Sequence, residues 1–127
     1  MNVAGGVVLD AGAFIAAERR DATMVALIRL FVASKTPLVT SAGVVAQVWR
    51  GGGHRQVPVA YLLKRTAVVD LGRAVARTLG RMLGQSGQRD AVDAHVVFLA
   101  RERNWPVLTS DPADLHAIDP TLDVERI

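Results

Sequence analysis

Four aspartates stand where apolar runs end or a helix begins, and their type and spacing suit one kind of chemistry. Asp10 directly follows Val7-Val8-Leu9, and Asp111 closes the run Val107-Leu108-Thr109-Ser110. Asp90 and Asp93 open an apolar segment after the polar loop Gln85-Ser86-Gly87-Gln88-Arg89, one helical turn apart and on one face. Like charges a few ångströms apart repel by about 4 kcal/mol at an effective dielectric of about 20, so a cluster of carboxylates needs protons, basic partners or a cation. Magnesium is the simplest answer, because it takes oxygen ligands and is usually held by one or two carboxylates with a substrate phosphate completing its shell. One such ion, or a pair, can generate hydroxide and stabilise the leaving oxygen in phosphodiester cleavage.

Whether these acids meet depends on the elements that carry them. The spacing predicts strands at Val7–Leu9, Leu38–Thr40, Thr66–Leu71 and Val107–Thr109, with a further strand at Leu122–Ile127. Asp10 is expected in a turn after the first strand. Met24, Leu27, Ile28, Phe31 and Val32 fall at i, i+3, i+4, i+7 and i+8 of a helix capped by Asp21. Ser41 is placed to cap a second helix through Val44, Val45, Val48 and Trp49, ended by Gly51-Gly52-Gly53. A short helix is expected over Val59–Leu63 and a basic-faced helix over Arg73–Leu83, with Gly84 as its stop. Another helix runs from Asp90 to about Arg103 and ends at Asn104 and Pro106, and a short one extends from Pro112 to Leu115.

Strands alternating with helices predict an α/β fold, a three-layer α/β/α arrangement around a mostly parallel sheet of four to five strands, as a single domain over residues 1–127. Such sheets bind ligands beyond the carboxyl ends of their strands. Asp10 and Asp111 belong to that edge, and the helix carrying Asp90 and Asp93 should open there too.

Plainer roles compete for each residue. Asp90 at a helix start suits a cap, Asp10 and Asp111 suit turns, and Asp93, one turn in beside Val92 and Val96, fits a cap poorly. Asp114 reads as a surface or local helix residue, and Glu18 lies far along the chain from Asp10. Arg73, Arg77 and Arg81 form one stripe that reads as a solvated face before it reads as an RNA track. Arg50, His54, Arg55 and Arg89 lie near loops from which they could approach the acidic rim. His95 reads as a packing residue, and Trp49 as core or interface.

Composition narrows the classes. Half of the 127 residues are apolar and 21% are charged, which permits a packed core and argues against disorder. The absence of cysteine excludes disulfides, zinc-thiolate centres and thiol nucleophiles, and fits a reducing compartment. No signal peptide pattern or stretch of about 20 apolar residues is present, so the expectation is a cytoplasmic protein with no membrane segment. The formal net charge is +3, and thirteen of the fifteen basic residues are arginine, which suits phosphate and equally suits a GC-rich genome.

The ordered segments Val8-Leu9-Asp10-Ala11-Gly12-Ala13-Phe14-Ile15, Thr40-Ser41 to Trp49-Arg50, Asp90-Ala91-Val92-Asp93-Ala94 and Val107-Leu108-Thr109-Ser110-Asp111 together resemble a PIN domain, especially VapC-type toxins. The resemblance covers essentially the whole chain. It implies an endoribonuclease dependent on Mg2+ or Mn2+, acting on RNA and held inactive by a small cognate antitoxin, with homodimerisation expected. By position, Asp10, Asp93 and Asp111 match the catalytic, metal-binding acids, and Asp90 is an additional acid one turn earlier. Thr109 is a possible contributor, and Arg50, Arg55 and Arg89 are candidate RNA-binding residues. Gln47 stands where the family most often has glutamate. A glutamine offers a carbonyl oxygen without charge, so metal affinity should fall, and Gln47 is alternatively an ordinary solvated residue. The competing function is a PIN fold that keeps RNA or antitoxin contact after losing useful catalysis. A phosphoacceptor receiver fits less well, because Asp10 has no adjacent acid and the only lysines are Lys35 and Lys64.

Overall fold

The structure, a computed structural model, describes residues 5–127. The first four residues, where the expected domain begins, lie outside the described residues. Five parallel strands form the sheet: β1 (Val7–Leu9), β2 (Leu38–Ser41), β3 (Thr66–Val69), β4 (Val107–Thr109) and β5 (Val124–Arg126), in the order β3-β2-β1-β4-β5. Every residue of the central strands β1, β2 and β4 is buried, as expected where helices cover both faces. The edge strands β3 and β5 alone expose side chains.

The helices are α1 (Ala11–Glu18), α2 (Ala22–Ala33), α3 (Ala42–Val48), α4 (Val57–Lys64), α5 (Arg73–Ser86), α6 (Ala91–Arg103) and α7 (Pro112–His116), with a 3-10 turn at His54–Gln56 before α4. Helix α1 contacts α2, α3 and α4, while α6 contacts β1 and β2 and carries α5 and α7 against it. The result is a three-layer α/β/α fold. Among the described residues no helix is long and apolar enough to cross a membrane.

Four expectations need correction. Asp10 does not sit in a simple turn but caps α1, its Oδ1 accepting from the Ala11 amide at 2.8 Å. Helix α1 has no polar face for periodicity to reveal, since Ala11, Ala13, Phe14, Ile15, Ala16 and Ala17 run all round it. Gly84 does not stop α5. The helix absorbs it at an exposed position and ends at Gly87, whose φ of 74° is the left-handed conformation that glycine adopts without strain. The third strand ends at Val69 rather than Leu71, and the fifth is confined to Val124–Arg126.

The first turn of α1 lies close against the end of β4. A Cβ on Gly12 would overlap Ser110 Oγ and stand 2.7 Å from the Ser110 nitrogen. Gly12→Ala should therefore push β4 and α1 apart. We expect a loss of about 1–3 kcal/mol in urea denaturation, the usual cost of overpacking; an unchanged midpoint would show that this junction yields freely.

Candidate active site

The strand order reverses between β1 and β4, because the chain builds outward through β2 and β3 and then returns to the other side of β1. Open α/β sheets place ligands in the crevice at such a switch point, beyond the carboxyl ends of the two strands. Asp10 follows β1 and Asp111 follows β4 at this place. Thr109 joins them: its buried hydroxyl donates to Asp10 Oδ2 at 2.8 Å and accepts from the Asp111 amide at 3.0 Å. Asp10 is only 8% exposed, and with both carboxylate oxygens hydrogen-bonded it has one fixed orientation. Asp111 occupies the N-cap position of α7 but makes no cap hydrogen bond, so its carboxylate is not used up as a turn former.

Asp90 does cap α6, as the plainer role suggested. Its Oδ1 accepts from the amides of Val92 at 2.9 Å and Asp93 at 3.0 Å. Asp93, partly buried one turn in, takes no such bond. Its carboxyl is pushed up from the ordinary 3.8 to about 7, first by burial and then by the charges of Asp90, Asp10, Asp114 and Asp111. Burial also raises Asp10, aided by Asp111 and Asp90, while the hydrogen bonds from Thr109 and the Ala11 amide pull the other way. The four expected acids thus share one electrostatic neighbourhood, and no arginine is among the main influences on Asp10 or Asp93.

Asp114 belongs to that neighbourhood as well, and acts on Asp93 more strongly than Asp111 does. The sequence signal was the three-residue spacing from Asp111 to Asp114, which repeats that of Asp90 to Asp93.

Gln47 and the candidate arginines are placed differently. Gln47 is exposed and lines a cleft of about 410 Å³ with Phe14, Ile15, Glu18, Arg50 and Arg55, to which none of the aspartates contributes. Arg50 Nη1 donates to the carbonyls of Ala46 at 3.0 Å and Trp49 at 2.8 Å, and Arg55 pairs with Glu18 at 3.2 Å. Arg89 is exposed beside the capping Asp90. One residue that sequence reasoning passed over, Gln56, organises this cleft. The buried Gln56 donates to Glu18 Oε2 at 2.6 Å and to the Val48 carbonyl at 2.9 Å, while its Oε1 accepts from the Arg50 amide at 2.6 Å. His95 is buried in α6 with Nε2 unpartnered, and burial lowers its pKa, consistent with a neutral packing residue.

Residues 7–119 match the family model of the PIN domain. The chain belongs to the PIN domain family. Solved structures with the same fold include VapBC2 from Rickettsia felis bound to a DNA fragment from their promoter. That match has TM-score 0.69 and 17% identity, covering 95% of this chain and 98% of that one. FitAB bound to an IR36 DNA fragment matches with TM-score 0.64 and 18% identity, covering 94% of each chain. FitAcB from Neisseria gonorrhoeae matches with TM-score 0.58 and 19% identity, over 93% of this chain and 95% of that one. No curated protein sequence matches.

The donor set of this PIN domain fits a hard divalent cation in chemistry: carboxylate oxygens only, at a place where their charges already oppose ionisation of Asp93. Among the described residues, no three His, Asp or Glu side chains form a group already closed around an ion position.

A carboxyl raised by folding binds its proton more tightly in the native state, so stability is greatest below the unfolded value and is lost as pH rises through the folded one. In chelator, melting temperature should fall as pH rises from about 4 to about 8 through the Asp93 transition near 7. Asp93→Asn should flatten that fall and melt higher than wild type at the alkaline end. An identical pH profile in the variant would refute the assignment.

Proposed function

We propose that this PIN domain, spanning residues 1–127, is a Mg2+- or Mn2+-dependent endoribonuclease that serves as the toxin of a toxin-antitoxin pair. The observation that carries the reading is Asp10 and Asp111 joined through Thr109 at the switch point beyond β1 and β4, where burial and the neighbouring carboxylates push Asp93 up to about 7. PIN domains are generally nucleases, which supports hydrolysis of phosphodiester bonds. Asp10, Asp93 and Asp111 are the proposed catalytic acids, and Asp90 would offer the metal the oxygen its cap leaves unbonded. Asp114 is added on the strength of its action on Asp93.

When bound, the cation would supply an activated water and stabilise the leaving oxygen. The chain's own part is positioning and proton control. Thr109 keeps its proton directed at Asp10 Oδ2, which favours the ionised form of Asp10. Asp93, which holds a proton near neutral pH, releases it when positive charge balances its neighbours. Arg50, Arg55 and Arg89 are exposed and suited to RNA phosphates.

An antitoxin partner is supported by the VapBC2 and FitAB structures that share this fold. Exposed Ile15, Trp49, Val57 and Tyr61 support a protein-binding face, for the antitoxin or for a second copy in a homodimer. A cytoplasmic location accords with this role. The second reading, a catalytically weakened module that binds RNA or antitoxin, is favoured by Gln47, which brings no charge to the acids and lines a separate cleft.

RNA cleavage should require Mg2+ or Mn2+ and cease in excess EDTA. Asp10→Asn, Asp93→Asn and Asp111→Asn should each lower the rate by about 100-fold or more, on the scale of a lost transition-state charge interaction. Gln47→Glu, in a cleft to which no aspartate contributes, should leave the Mg2+ titration unchanged, and a shift to lower concentration would show that this side chain reaches the ion. Cleavage that survives EDTA would overturn the metal-dependent reading, and a folded wild type inactive with both ions would favour the binding module.

A further inference from the structure

We propose that Thr40 is a positioning residue for this site, its hydroxyl fixing the peptide that presents Asp10. The chemistry rests on the nuclease reading above, whereas the geometry does not. Strand β1 pairs with β2 at Val7 and Val8 but with β4 at Val8 and Leu9, so β1 parts from β2 one residue before Asp10. A buried carbonyl at such a parting needs another partner. Thr40, fully buried on β2, supplies it: Oγ1 donates to the Leu9 carbonyl at 2.7 Å.

The Leu9 carbonyl and the Asp10 amide belong to the same planar peptide unit. The Asp10 amide donates to the Leu108 carbonyl on β4 at 3.1 Å. The plane is therefore held at one end by β2 and at the other by β4, which sets the direction in which the Asp10 side chain leaves the backbone. Thr109 then fixes the carboxylate from the β4 side. Valine would fill the same volume in this apolar layer, so the hydroxyl is explained by its bond rather than by packing. Thr40 has no surface from which to touch substrate, and it acts through Asp10.

The test uses the full chain with Thr40→Val, Thr40→Ser and, as a control that weakens the same strand without removing a hydroxyl, Val39→Ala. Supporting groups behind metal ligands typically change affinity about 10- to 100-fold. We expect Thr40→Val to weaken Mn2+ binding by calorimetry on that scale and to lower kcat for RNA with KM little changed. Thr40→Ser should restore both, and Val39→Ala should lower melting temperature without moving either. Combining Thr40→Val with Thr109→Val should cost less than the sum of the two, because both act through one carboxylate. A Thr40→Val protein that loses stability but keeps Mn2+ affinity and kcat, or fully additive losses, would overturn the proposal. Amide exchange by NMR separates this failure from failure of the nuclease reading. Even if wild type bound no metal and cut no RNA, the Asp10 amide should exchange faster in Thr40→Val and normally in Thr40→Ser. Unchanged exchange would remove Thr40 from its assigned role.

Discussion

Asp10 cannot retreat from the charges around it. It is buried, it caps α1, and its two oxygens are held by the Ala11 amide and the Thr109 hydroxyl, so side-chain rotation cannot relieve its repulsion with Asp111 and Asp90. The fold accepts this cost because the same peptide joins β1 to both neighbouring strands. The two hydrogen bonds to the Asp10 carboxylate, each worth about 1.5–3 kcal/mol when the acceptor is charged, offset its burial only in part, since its carboxyl is still raised. Asp93 has no such bonds and instead holds its proton up to about pH 7.

The site therefore has two unlike parts. The strand-borne part, Asp10, Thr109 and the Asp111 amide, is a continuous hydrogen-bonded chain between two buried strands. The helix-borne part, Asp90 with Asp93 and Asp111 with Asp114, consists of side chains one turn apart at the starts of α6 and α7, of which Asp90 is held by its cap and the others make no cap bond. Exposed ion pairs do little to hold this arrangement. Arg103 with Glu102 and Arg55 with Glu18 are solvated on at least one side and contribute at most about 1 kcal/mol each. The packed strands and the close contact of Gly12 with Ser110 set the positions, and electrostatics acts within that frame.

Sequence reading went furthest where one physical rule dominates. Buried parallel strands must be continuously apolar, so β1, β2 and β4 stood out and the acids after β1 and β4 could be assigned to one edge. Helices with a wet face or a capping residue were equally plain, as with Asp21 before α2 and Ser41 before α3. Helix α1 was hidden because it lacks a polar stripe, and Gly84 misled because an exposed helix tolerates glycine when a better left-handed stop lies three residues on. Long-range side-chain partners were not readable at all. Nothing in the sequence ties Gln56 to Glu18, 38 positions away, or Thr40 to Leu9, 31 positions away. Asp114 was legible in the sequence, since its spacing from Asp111 repeats that of Asp93 from Asp90.

Folding brings these carboxylates together strongly enough to push Asp93 up to about 7. A carboxyl 13C NMR titration of Asp93 in the metal-free protein measures this directly. The account predicts a midpoint near 7, displaced from the ordinary 3.8, that moves down when Asp90 is replaced by asparagine. A midpoint near 4 that ignores Asp90 would contradict it.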